Sequence, residues 1–384
     1  MKRKNIGINT ICTHVGEVKD TQFQGAISPL FVSSSYQYDG VDVKRYPRYF
    51  NTPNQEGLGK KIAALEKSEA GMIFSSGMAA VSHCLLAFLH KGDHVVLPQT
   101  LYGGTYNFVV EEFHKFGIEY TFAAGFTEKD FTKAIQANTK VIYLETPSNP
   151  LMKITDLQLI ARLAREHDLV SMIDNTFASP INQTPADFGI DIMIHSATKY
   201  MGGHSDICAG AVAGSTRHMD VIWNVAKNIG GSLSDYTVWL LERSIKTMAL
   251  RVRAQNKTAK KIAEWLEKHP LVAKVYYPGL KSHPDHLLAK KQMRGYSGML
   301  SFELAPSIDP TKFMKQLKLV KQSMSLAGVE STILSPTHTS HALLSPQERA
   351  HQGISDGLLR FSVGIEEKAD LLADFKQAFK TLSR

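Results

Sequence analysis

The sequence predicts an α/β protein, with a large, mostly parallel sheet domain followed by a smaller C-terminal α+β domain. Three observations carry this expectation. Short apolar runs alternate with helical stretches between residue 54 and about 230, and strand–helix–strand order implies parallel strands joined by crossovers. A chain of 384 residues is too long for one small core and suits two domains in one subunit. A long helical stretch over 238–268 offers a bridge between them.

Residues 1–55 lack strong periodicity and read as an extended N-terminal arm with turns, containing "SPLFVSSSYQYDG" and "RYPRYFNTPNQ". From Asn54 the pattern turns helical through "QEGLGKKIAALEKSEAG". The apolar runs that follow are "GMIFSS" (71–76), "DHVVLP" (93–98), "KVIYLETP" (140–147), "LVSMIDNT" (169–176), "DIMIHSATK" (191–199) and "AGAVAGS" (209–215). Helical candidates between and after them cover 78–90, 105–116, 129–136, 155–167 and 218–227. Beyond the bridging helix, "PLVAKVYYPGL", "GMLSFEL" and "KLVKQSMSL" supply strands, and "EEKADLLADFKQAFKTL" a final helix. The expected division is an arm at 1–55, a large domain at 56–245 and a small domain at 246–384. Neither repeats nor low-complexity segments occur.

Composition narrows the class. Hydrophobic residues make up 43% and charged residues 21%, as in ordinary globular proteins. No apolar run is long enough to span a bilayer. The start carries basic residues but no apolar h-region, so it does not read as a secretory signal, and a cytoplasmic location is expected. The net charge is +8, but the lysines are spread, with small basic clusters at 2–4, 257–261 and 290–291. A nucleic-acid binder would gather its charge into a patch; a solvated basic surface that attracts anionic metabolites is the expectation here. Cys12, Cys84 and Cys208 form no paired framework, which implies reduced thiols.

In parallel sheets ligands bind at the carboxyl ends of the strands, so the residues just after each apolar run matter most. After "GMIF" come Ser75, Ser76, Gly77 and Met78; after "DHVVLPQTL" comes Tyr102 in "YGGT"; after "KVIYLE" comes Asn149 in "TPSNP". After "LVSMI" comes Asp174, and after "DIMIH" come Ser196, Thr198 and Lys199. Taken singly, each has a plain reading. "SSGMAA" could simply cap a helix, Asp174 could cap a helix or form an ion pair, and Tyr102 could be a packed surface aromatic. Together they describe one ligand. Pyridoxal phosphate needs a lysine for its Schiff base, an acid at the pyridine nitrogen, and an aromatic against the ring. It also needs phosphate donors, which a helix start and hydroxyls provide. Small neighbours around Lys199 leave room for it.

Other cofactor chemistries fit less well. His195, His204 and Asp206 do not have a standard zinc spacing, and cysteine ligands are lacking. His283 and His286 lie in a polar turn, and one strand face would explain His338 and His341. No metal is expected. The GxGxxG of a nicotinamide-binding turn is missing from "SSGMAAVS".

The segments "SATKYMGGHSD", "ETPSNP", "DNTFASP", "SSGMAA", "YGGTY" and "LLRFSVGIE" resemble the Cys/Met-metabolism family of pyridoxal-phosphate enzymes, over nearly the whole chain. The resemblance implies fold type I of the pyridoxal-phosphate-dependent transferases, like aspartate aminotransferase. It also implies a homotetramer of two tight dimers with sites shared between subunits. By the same matching, Tyr46 and Arg48 of "YPRYFNTPN" would reach a neighbour's phosphate, although the family's Asn-Pro-Thr is not reproduced after them. Gly77 and Met78 would give amides, and Ser196 and Thr198 hydroxyls, to the phosphate. Tyr102 would stack on the ring and take part in catalysis with Lys199. Asp174 would hold the ring nitrogen, with Thr176 nearby. Arg360 would pair with the substrate carboxylate, helped by Asn149 and Ser325.

The implied activity is carbon–sulfur cleavage of an amino-acid substrate. Many cystathionine γ-enzymes of the family carry a glutamate just before the Ser-Leu-Gly segment, where this chain has Met324 in "SMSLAG". Methionine γ-lyases carry a cysteine where this chain has Gly104. By elimination the expectation is a cystathionine β-lyase, which makes homocysteine, pyruvate and ammonia from L-cystathionine. The γ-synthase and γ-lyase are the alternatives, and "KNIGG" (227–231) is similar to a γ-synthase segment. Methionine γ-lyase follows behind them. A non-catalytic scaffold or regulator using the same fold is the alternative from another class, and the completeness of the site set argues against it.

Overall fold

The computed structural model describes residues 6–339, 347, 349 and 353–382; His341 lies outside the described residues. The first described helix is α1 (Ile8–His14), where an extended arm was expected. Beyond it the segment is irregular up to Thr52, apart from a 3-10 turn at Pro47–Tyr49. Next, α2 (Pro53–Leu65) starts from a reciprocal cap. The Thr52 hydroxyl accepts the Gln55 amide at 3.2 Å and the Gln55 side chain accepts the Thr52 amide at 3.1 Å. Pro53 fills the first turn, where no amide hydrogen is needed.

A seven-stranded sheet follows. Its elements are β1 (Ala70–Phe74), α3 (Gly77–Phe88), β2 (His94–Pro98), α4 (Gly103–Phe116), β3 (Glu119–Ala123), α5 (Glu128–Ala134), β4 (Thr139–Glu145), α6 (Leu157–Glu166), β5 (Val170–Asp174), α7 (Ser179–Asn182), β6 (Ile192–His195) and β7 (Gly210–Gly214). The strand order is β1-β7-β6-β5-β4-β2-β3. The pairs from β6 to β3 are parallel, and β7 is antiparallel to both its neighbours. Strand β3 was not expected: it is an edge strand with Glu119 and Tyr120 exposed, so it shows no continuous apolar run.

The strands alternate between two cores, as period two requires. Val141, Tyr143, Met172, Ile192 and Ile194 face one core with α3 and α4. Ile142, Leu144, Ile173 and Met193 face the other with α2 and α6. Helices thus cover both faces, and each fully buried large aliphatic contributes about 1.5–3 kcal/mol.

Helices α8 (Thr216–Ile229), α9 (Asp235–Ile245) and α10 (Met248–Leu266) lead onward. The single helix expected over 238–268 is two helices. The Ser244 carbonyl is taken by the Arg251 guanidinium at 2.9 Å and by the Thr247 hydroxyl at 3.3 Å, a side-chain competition that interrupts the helical ladder. The start of α10 (Met248, Ala249, Val252) lies in a large-sheet core. Its end (Ala259, Ile262, Ala263, Leu266) packs into a third core. The chain there runs through β8 (Val272–Tyr276), α11 (His286–Gln292), β9 (Met299–Leu304), α12 (Pro310–Gln316), β10 (Lys321–Gln322), β11 (Thr332–Leu334), β12 (Leu358–Ser362) and α13 (Lys368–Leu382), among which the strands form a five-stranded sheet in the order β10-β11-β12-β9-β8; α11 packs its Ala289 apart from that core, with Ile154 and Ala178. The strand expected in "KLVKQSMSL" shrinks to the two residues of β10, because Ser325 and Ala327 adopt φ of 75° and 63°, outside any extended conformation.

Candidate active site

Strand β1 is antiparallel to β7, and β7 to β6, so β1 runs in the same direction as β6 and the parallel strands. The carboxyl ends of β1, β2, β4, β5 and β6 therefore lie on one edge of the sheet. They line a cavity of about 730 Å³ that is completed by residues 324–326 and Arg360. Every expected site residue borders it except Tyr46 and Arg48. The Arg48 guanidinium sits 5.5 Å from the Tyr46 ring centroid and 5.2 Å from that of Tyr49, and donates to the Lys227 carbonyl.

At the phosphate end, Ser76 caps α3, its hydroxyl accepting the Ala79 amide at 3.0 Å. A Cβ on Gly77 would lie 2.8 Å from the Ser196 Cβ and 2.9 Å from its Oγ. Only glycine allows the helix start to approach this hydroxyl, and the first-turn amides of a helix lack intrahelical acceptors. The Ser196 amide donates to the Thr176 hydroxyl at 2.8 Å. The Thr198 hydroxyl spans Ala209, donating to its carbonyl at 3.2 Å and accepting its amide at 2.9 Å.

Asp174 ends β5, and its Oδ1 accepts the Thr176 amide at 2.9 Å. Burial raises its carboxyl above the usual range, against the pull of the Thr176 contacts. Its register partner on β4 is Glu145, which was not singled out in the sequence. Glu145 is pushed up by burial and by the Asp174 charge beside it. The clue was its position: it ends one apolar run, as Asp174 ends the next.

Tyr102 is half exposed and its ring lies against Gly104, where a Cβ would come within 2.6 Å of the ring. A larger residue at 104 would displace that ring. Lys199 Nζ donates to the Ser325 hydroxyl at 3.0 Å. Burial first, and then the Arg360 charge, push the amine down to about 8. Arg360, buried on β12, donates to Asn149 Oδ1 at 3.2 Å and to the Ser325 carbonyl at 3.0 Å. Burial lowers it to about 10, so it stays charged at neutral pH. The left-handed Ser325 is backbone strain at a site, and it lets one residue meet both Lys199 and Arg360. Cys208, also not singled out, lines the same cavity.

These residues fit pyridoxal phosphate. A largely buried amine of lowered pKa, a buried carboxylate, an accessible aromatic face and a glycine-cleared helix start surround one cavity of suitable kind. Four of the histidines weighed as metal ligands are otherwise engaged: His195 Nε2 donates to buried Glu66 at 2.6 Å, and His204 Nδ1 to the Gly202 carbonyl at 2.8 Å. His283 Nδ1 accepts the Asp285 amide at 3.1 Å, and His286 Nδ1 donates to the Pro278 carbonyl at 2.8 Å.

A family model described as Cys/Met metabolism PLP-dependent enzyme matches residues 9–380. The chain belongs to that family. Pyridoxal phosphate is the family's cofactor, and the fold is type I. The chain is 42% identical over all of its length to a full-length Bacillus subtilis protein named cystathionine gamma-lyase. It is 41% identical over 95% of its length to a Lactococcus lactis subsp. cremoris cystathionine beta-lyase, of which 97% is covered. Among solved structures, cystathionine gamma-lyase from Lactobacillus plantarum complexed with L-serine superposes with a TM-score of 0.95 at 38% identity, over 98% of this chain and 100% of that one. Among the described residues, no helix is long and apolar enough to cross a membrane.

Proposed function

We propose that this chain is a carbon–sulfur lyase of the cystathionine β-lyase type, which cleaves L-cystathionine to homocysteine, pyruvate and ammonia. The placement of Lys199 carries the reading: its amine is largely buried in the cavity, between the Asp174 and Arg360 sides, with its pKa lowered to about 8. Bound pyridoxal phosphate supplies a carbonyl for the substrate amine and an electron sink for the charge that develops at the substrate Cα.

The chain's residues do the rest. Arg360 grips the substrate carboxylate with its fork, aided by the Asn149 amide and the Ser325 hydroxyl. Asp174 would hold the ring nitrogen, and the Tyr102 ring would cover the ring face. Gly77 and Met78 amides and the Ser196 hydroxyl would hold the phosphate, joined by the Thr198 hydroxyl once its proton turns from the Ala209 carbonyl. Lys199, neutral in a fraction set by its lowered pKa, takes the Cα proton. The ammonium so formed is the proton source for the thiolate that leaves Cβ.

Met324 borders the cavity and is well exposed. A thioether there cannot pair with the distal ammonium of cystathionine, which supports cleavage at Cβ over the γ-reactions. Relatives named cystathionine beta-lyase support the same reading. The full-length relative named cystathionine gamma-lyase favours γ-elimination as the second reading. A homotetramer in which Tyr46 and Arg48 serve a neighbour's site, and a cytoplasmic location, belong to the same proposal. The test is release of ammonia and a keto acid from L-cystathionine by wild type and by Lys199→Ala. The variant should lose turnover; a variant as active as wild type would remove Lys199 from the chemistry.

A further inference from the structure

Glu145 is nearly fully buried at the end of β4, yet no step of the chemistry uses it. Its two carboxylate oxygens reach different loops. Oε2 accepts the Tyr102 amide at 2.7 Å, and Oε1 accepts the Asn149 amide at 3.2 Å. Tyr102 is the residue from which α4 starts, and it has no side-chain cap. The carboxylate therefore faces the positive end of α4. Asn149, held by the other oxygen, accepts from Arg360. One side chain thus ties the aromatic side of the cavity to the side of the substrate clamp.

We propose that Glu145 is a positioning residue, fixing the spacing between the Tyr102 ring and the Asn149–Arg360 pair by bridging their two loops. This rests on the proposed roles of Tyr102 and Arg360. Desolvation and the Asp174 charge work against the ionised form of Glu145, while the two amides stabilise it. A buried acid against a second acid is a costly structural brace, and the bridge accounts for its presence. Glutamine has the same length but only one acceptor oxygen. In Glu145→Gln one of the two amides would face a donor NH2 and lose its partner. An unpaired buried donor is worth about tenfold or more in an equilibrium.

The test uses Glu145→Gln in the full chain. The KM for the amino-acid substrate should rise about tenfold or more, and the dissociation constant for pyridoxal phosphate about tenfold. The kcat should fall by less than KM rises, and apoprotein Tm should move little because relief of the Asp174 repulsion offsets the lost amide partner. Unchanged KM and cofactor affinity, with or without a lowered Tm, would overturn the proposal. Amide exchange in the wild-type holoprotein tests it independently of whether the variant folds. The Tyr102 and Asn149 amides should be protected; exchange of either at the rate of a free loop amide would overturn the bridge. If the wild type cleaves no thioether amino acid, the proposed function fails, while cofactor affinity and amide exchange still decide the role of Glu145.

Discussion

Glu145 and Asp174 are register partners at the carboxyl ends of β4 and β5, so two buried carboxylates stand side by side on the floor of one cavity. Both carboxyls are raised by burial, and the Asp174 charge raises Glu145 further. Raised acid pKa values mean that the folded apoprotein is penalised above the folded values. The penalty is lost as pH falls below the unfolded values near 4. Asp174→Asn keeps the acceptor for the Thr176 amide and removes one charge. The apoprotein should therefore gain stability at neutral pH, about 1 °C in Tm for each kcal/mol recovered in a chain of this length, and the gain should vanish toward pH 4. Turnover should fall about a hundredfold or more, as an electrostatic partner of the reacting group is lost. A variant destabilised at neutral pH would contradict the repulsion.

Lys199 gives the opposite pH signature. Its amine is lowered to about 8 from an ordinary 10.5. Below pH 8 it is protonated in folded and unfolded chains alike, and the penalty for burying the charge is in full force. Between the two values the unfolded chain binds more protons, so stability rises with pH. Denaturant unfolding of the wild-type and Lys199→Met apoproteins from pH 7 to 10.5 should show wild type gaining relative to the variant above pH 8. Parallel profiles would mean that the amine is not perturbed.

Arg360 reaches Asn149 and the Ser325 carbonyl with separate nitrogens. Lysine offers a point charge in place of a fork. Arg360→Lys should raise KM by about tenfold to a hundredfold, with a smaller loss in kcat, the pattern of weakened substrate binding. Steady-state kinetics check this, and an unchanged KM would place the carboxylate elsewhere.

Tyr46 and Arg48 do not border this chain's own cavity. If they serve a neighbouring subunit, an Arg48→Ala chain and a Lys199→Ala chain can together form one intact site in each mixed dimer. Mixing and reassembly of the two inactive variants should then restore roughly a quarter of wild-type activity. No recovery in verified mixed dimers would exclude a shared site.

Much of this arrangement was legible before the structure. A parallel sheet sends its carboxyl ends to one edge, so Tyr102, Asn149, Asp174 and Lys199 could be gathered from the polar residues that follow apolar runs. Arg360 could not be placed that way, since it lies within a strand of the second sheet; only the resemblance pointed to it. Glu145 had the same positional clue as Asp174, at the end of an apolar run, but its partners are the Tyr102 and Asn149 backbone amides, which leave no pattern in sequence. The approach of Gly77 to Ser196, and the left-handed turn that brings Ser325 to Lys199, depend on long-range packing. The break between α9 and α10 was equally invisible, because it depends on Arg251 and Thr247 competing for one carbonyl.

The keto acid released from L-cystathionine by the purified, cofactor-loaded protein tests the site of cleavage most directly. Mass spectrometry should find pyruvate together with homocysteine, as β-elimination requires. 2-Oxobutyrate with cysteine as the main products would place the cleavage at Cγ and contradict the β-lyase reading.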